Sequence, residues 1–88
     1  MTERWTVNYH QELAKEIRRL PRPVIKHLLE AIEALAENPH PPGSQKIEGY
    51  SLWRIKVGDY RILYQIDEEH FVVNTYRLGH RKDIYRRL

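Results

Sequence analysis

There is no cysteine among the 88 residues. Disulfides, thiolate metal sites and cysteine nucleophiles are therefore excluded. No apolar run approaches the roughly 18 residues of a membrane span, and the first residues show no signal-peptide-like apolar segment. A cytoplasmic location is the expectation. Glycine and proline number only four and five, and only one stretch is rich in them, Asn38-Pro39-His40-Pro41-Pro42-Gly43-Ser44. That stretch is too short for a domain linker, and repeats and low-complexity segments are missing, so residues 1–88 read as one domain. The five histidines show no HExxH or other ligand spacing, and no metal is expected. A serine-nucleophile motif, a glycine-rich phosphate loop and a redox motif are also lacking; no cofactor is expected.

What is present is positive charge, unevenly spread. Residues 1–45 hold six Lys/Arg and six Asp/Glu, whereas residues 46–88 hold nine and six. The whole net charge of +3 lies in the second half, and residues 71–88 carry five basic side chains against one acid. Such an asymmetry suits a polyanion. It also suits a merely solvated basic surface.

Along the chain, Arg4–Tyr9 alternates as a short strand. His10–Leu20 reads as a helix, with Leu13, Ile17 and Leu20 on one face. Pro21 and Pro23 interrupt it, and a second helix is predicted from Arg22 to about Glu37 on a continuous apolar stripe. The proline-rich stretch crosses to Leu52–Leu63, LWRIKVGDYRIL. Gly58-Asp59 at the centre of this segment predicts a two-residue hairpin turn. The turn sets Val57 opposite Tyr60, Lys56 opposite Arg61, Ile55 opposite Ile62, Arg54 opposite Leu63 and Trp53 opposite Tyr64. Ile66 ends the strand, and a polar turn over Asp67–His70 leads to a last strand from Phe71 to Leu78. Gly79 and a basic tail follow. The prediction is an α+β domain, β-α-α-β-β-β, with two N-terminal helices packed on one face of a small antiparallel sheet.

Side-chain alternation separates the hairpin's faces. Trp53, Ile55, Val57, Tyr60, Ile62 and Tyr64 form a core surface. Arg54, Lys56 and Arg61 occupy the other. Like charges directly opposite each other destabilise a strand pair by up to about 1 kcal/mol, so three cations gathered without an acid suggest a bound anion. Arg81, Lys82, Tyr85, Arg86 and Arg87 of the tail can close a concave site with them. Arg77 and His80 are further candidates for RNA contact. His80 could equally cap a strand end, and the cations could simply solubilise the sheet. Arg binds phosphate bidentately, Lys acts as a point charge, and an aromatic ring supplies a platform for an unstacked base. Cleavage of RNA by its own 2′-OH needs a base, cations around the phosphorane and an acid for the leaving 5′-oxygen. It needs no metal.

The stretches LWRIKVGDYRILYQID and VVNTYRLGHRKDIYRRL resemble the RelE/ParE superfamily of type II toxin–antitoxin toxins, and within it the RelE-type branch. The resemblance implies an mRNA interferase, a metal-independent endoribonuclease that cuts the codon in the ribosomal A site. It implies two partners, a cognate antitoxin and ribosome-bound mRNA. Arg54, Lys56, Arg61, Arg81 and Tyr85 match the family's catalytic positions. Lys56 or Tyr85 would assist 2′-OH deprotonation, Arg54 and Arg61 would hold the phosphate, and Arg81 would serve the leaving oxygen as acid or electrostatic partner. The first basic position is Arg where Lys is usual, and the Arg81–Tyr85 spacing is shorter than in some members. The alternative within the superfamily is a ParE-like inhibitor of DNA gyrase that acts by binding alone.

Overall fold

The computed structural model describes residues 4–87, with only the backbone at residue 87. Its elements are β1 (Thr6–Tyr9), α1 (Gln11–Arg18), α2 (Arg22–Ala34), β2 (Gln45–Lys46), β3 (Trp53–Val57), β4 (Tyr60–Asp67), β5 (Val72–His80) and a closing 3₁₀ turn, Ile84–Arg87. The two helices lie on one face of a five-stranded sheet of order β1-β5-β4-β3-β2.

Both helices stop short of their predicted ends, α1 at Arg18 and α2 at Ala34. Leu20 and Asn38 precede prolines, and the residue before proline is driven out of the helical region. The last turn of each tightens into i→i+3 bonds, Leu20 N–H to Ile17 O in one and Leu35 N–H to Ile32 O in the other. His10 caps α1, its ring Nδ1 accepting from Glu12 N–H at 3.3 Å.

The hairpin turn is as the sequence requires. Gly58 has φ of 59° while Asp59 stays at negative φ, the pattern of a type II′ turn. All five expected cross-strand pairs of β3 and β4 are formed. Ile55, Ile62 and Tyr64 enter the core with Leu13, Ile17, Leu28, Ile32 and Leu35 from the helices.

Four features depart from the predicted sheet. β1 pairs in parallel with β5, so the sheet is mixed rather than wholly antiparallel, although the α+β class stands. A two-residue strand, β2, pairs with β3 through Gln45–Arg54 and Lys46–Trp53. Within β5, Tyr64 pairs with Thr75 and Leu63 with Arg77, so Tyr76 is an extra residue. This bulge resets the alternation. Val73, Thr75 and Leu78 are consequently all buried, and the Thr75 hydroxyl is satisfied by Asn8 O at 2.8 Å. Finally, β5 runs on through Gly79 to His80 rather than stopping at Leu78.

Candidate RNA-binding site

Because Ile55 and Ile62 face the helices, Arg54, Lys56 and Arg61 face away from them. This outer face is not bare. Leu63 and Ile84 are both fully buried, and the tail folds back over the end of β5. Gly79 makes that possible. It is paired with Arg61, and a Cβ at this position would lie 3.2 Å from Ile84 Cδ1. With no Cβ there, Ile84 can settle onto the strand. Arg81 N–H donates to Asp59 O at 2.8 Å, tying the start of the tail to the hairpin turn, and Asp83 N–H donates to His80 O at 2.8 Å.

The result is one open hollow of about 360 Å³ lined by Arg54, Lys56, Arg61, Arg81, Lys82 and Tyr85. Among the described residues, five cations and a phenol ring meet with no carboxylate in the lining. Tyr85 is 41% exposed, so its ring is available for stacking. The close approach of Lys56 to Arg61 across the strands is eased by neutral acceptors. Arg61 Nη1 donates to Gly58 O at 3.0 Å and to Tyr60 O at 2.9 Å. Those bonds hold the guanidinium while its Nε and Nη2 donors stay available. Arg54 Nη2 donates to Gln45 Oε1.

The other expected residues lie elsewhere. Arg77 Nε is 3.1 Å from Glu16 Oε1, in a half-buried ion pair that ties β5 to α1. His80 stands edge-on to the Tyr60 ring, with centroids 6.2 Å apart, and its Nδ1 accepts from Lys82 N–H at 3.4 Å. Neither lines the hollow. Arg86 is exposed on the closing turn and is not part of the lining. The side chain of Arg87 lies outside the described residues. Sequence reasoning missed Ile84 and Gln45, which seat the tail and hold Arg54. Ile84 had a signal, as the tail's isolated apolar residue after Gly79; Gln45 had none.

The chain belongs to the family described as "ParE toxin of type II toxin-antitoxin system, parDE", whose profile matches residues 4–85, and so to the RelE/ParE superfamily. Toxin RelG of Mycobacterium tuberculosis (strain ATCC 25618 / H37Rv) is 33% identical over 85 residues, covering 94% of this chain and 98% of the relative. The archaeal RelE–RelB complex from Pyrococcus horikoshii OT3 has a chain that superposes with a TM-score of 0.79 at 29% identity, covering 92% of this chain and 97% of that one. The intact E. coli RelBE toxin–antitoxin complex gives a TM-score of 0.75 at 25% identity, covering 86% and 95%.

Proposed function

We propose that this toxin is a ribosome-dependent mRNA endoribonuclease that cuts in the A site by metal-independent attack of the RNA's own 2′-OH. The observation that carries the reading is the hollow, in which, among the described residues, five cations and Tyr85 converge with no carboxylate in the lining. Arg54 and Arg61 bind the scissile phosphate. Lys56 or Tyr85 takes the 2′-OH proton, the 2′-oxygen bonds to phosphorus, and the P–O5′ bond breaks. The 5′-oxygen is served by Arg81, as acid or as electrostatic partner. The products are a 2′,3′-cyclic phosphate and a 5′-OH. Cations fixed around the phosphorane act where charge accumulates, and losing one such group costs about 100-fold or more in rate. Tyr85 stacks on the base at the cut, while Lys82 and Arg86 bind the flanking backbone. Because the solved relatives from Pyrococcus and E. coli are complexes of RelE with RelB, we assign this chain a cognate antitoxin as well.

The test is induced expression with mapping of mRNA 5′ ends. Codon-positioned cuts in translated mRNA are expected. Arg81→Ala should lower cutting about 100-fold, and Tyr85→Phe should lower it if the hydroxyl takes the proton. Unchanged cutting in both variants would remove these residues from the reaction. The match of the ParE profile to residues 4–85 favours a second reading, inhibition of DNA gyrase by binding alone. Intact mRNA together with gyrase-linked DNA breaks would decide for it.

A further inference from the structure

We infer that Gln45 is a positioning residue of the cationic site: it fixes the guanidinium of Arg54 through a neutral acceptor and leaves its charge available to phosphate. Gln45 stands directly opposite Arg54 in the two-residue pairing of β2 with β3. Its Oε1 accepts from Arg54 Nη2. The reverse orientation of the amide would set donor against donor, so the assignment is chemically unique. Arg54 Nη1 is buried and has no hydrogen-bond partner among the described residues. The guanidinium is thus held by one amide, at a wall of the hollow.

The placement of Gln45 is itself built from the core. Tyr64 is fully buried, and its hydroxyl donates to Pro39 O at 2.8 Å. Burial raises the pKa of that hydroxyl, and the neighbouring Ser44 side chain offsets part of the rise. One core side chain therefore clamps the start of the crossover that delivers Gln45. The polar pair Gln45-Lys46 has no strand propensity to fix itself, so its position comes from this clamp and from the pairing with Arg54 and Trp53.

The choice of an amide has a chemical consequence. A carboxylate at position 45 would orient Arg54 equally well but would neutralise it and compete with the phosphate. An apolar residue would keep the charge and lose the orientation. Position 45 thus separates two properties of one arginine, its direction and its free charge.

The inference rests on the reading of the hollow as an RNA phosphate site, and its test separates the two. Gln45→Leu, Gln45→Glu and Arg54→Ala are made in the full chain, each purified from its antitoxin complex. Rotation of the Arg54 guanidinium about Cζ–Nε, followed by ¹⁵N NMR, is expected to be hindered in the native protein. It should be at least about tenfold faster in Gln45→Leu and no faster in Gln45→Glu. Binding of a short single-stranded RNA should stay within about threefold in Gln45→Leu, with its salt dependence unchanged. In Gln45→Glu the slope of log affinity against log salt should become shallower by about 0.7, the loss of one phosphate contact. On programmed ribosomes, Gln45→Leu should lower kcat about tenfold while KM moves less than about threefold. The inference is overturned if the guanidinium rotates as freely in the native protein as in Gln45→Leu, or if Gln45→Glu binds RNA with native affinity and slope. If the native toxin cuts no RNA and Arg54→Ala leaves RNA binding unaltered, the ribonuclease reading fails. The guanidinium measurement then still decides whether Gln45 holds Arg54.

Discussion

Ile84→Ala is the substitution that bears most directly on how the site is assembled. Three site residues, Arg81, Lys82 and Tyr85, sit on a tail with few anchors. Arg81 N–H to Asp59 O is one hydrogen bond, worth about 1 kcal/mol net. Ile84 is fully buried, worth about 1.5–3 kcal/mol for its side chain. The isoleucine is therefore the main anchor. Truncating a buried Ile to Ala costs about 2–5 kcal/mol, and even the lower figure raises the open fraction of the tail about thirtyfold. The core cluster between the helices and the sheet does not include Ile84, so most of that loss should stay local. Were it coupled to global unfolding, about 2 kcal/mol would lower the melting temperature of a domain this size by about 8–16 °C. The expected result is a much smaller melting shift, loss of exchange protection at the Arg81 amide, and loss of RNA cutting in parallel. Gly79→Ala should act in the same direction more weakly, since its Cβ would press on Ile84 Cδ1 at 3.2 Å, a contact that rotation of the isoleucine can partly relieve. Native protection of the Arg81 amide in Ile84→Ala would refute the anchoring argument. So would a full 8–16 °C drop, because the tail would then be part of the cooperative core.

Two further outcomes test the frame behind the site. Gly58→Ala meets no atom within 4 Å of its new Cβ, so its cost is purely that of holding φ at 59°; a loss of about 1–2 kcal/mol in denaturant unfolding is expected, and native stability would mean that the turn relaxes to another type. At the other hairpin, His70 bonds to the Asp67 carboxylate through its backbone N–H at 3.1 Å and its ring at 3.0 Å, and these contacts hold that carboxyl below the usual range. The associated stability is present above the ordinary carboxylate pKa and is lost as pH falls through the lowered value. Melting temperatures of native protein and Asp67→Asn should therefore converge on acidification, and parallel curves would contradict the assignment.

How much of this was legible in the sequence depends on how local the determinant is. The hairpin register follows from Gly58-Asp59 and a period of two, both contained in twelve residues, and it is found unaltered. The basic residues brought into the hollow lie on that hairpin or just past Gly79, where alternation and a strand end limit the possibilities. The bulge at Tyr76 was not legible. Thr75 is a polar residue that becomes buried only because Asn8 O, far away in sequence, meets its hydroxyl. β2 was invisible because two polar residues carry no strand signal; pairing with β3 creates it. Arg77 looked like the other basic residues of its half of the chain. Its ion pair with Glu16 depends on α1 lying over β5, which no local pattern specifies. The parallel pairing of β1 is likewise a property of the completed sheet.

The same distinction explains how a sheet face tolerates so many like charges. The cations that fasten this structure together are paired with carboxylates: Arg4 with Glu33 and Glu37, Lys15 with Glu12, Arg77 with Glu16. Those around the hollow are held differently. Arg54 is bonded to an amide, Arg61 to two carbonyls, and Arg81 through its backbone N–H. Among the described residues, none of the hollow's cations forms an ion pair. A neutral acceptor orients a guanidinium and offsets part of its desolvation without cancelling its charge. Cationic sequence alone therefore cannot separate a structural arginine from one free to meet an anion; the partner it is given does. By that criterion Arg77 is tied into the scaffold, and Arg54, Arg61 and Arg81 are charges in the hollow for which the described residues supply no counterion.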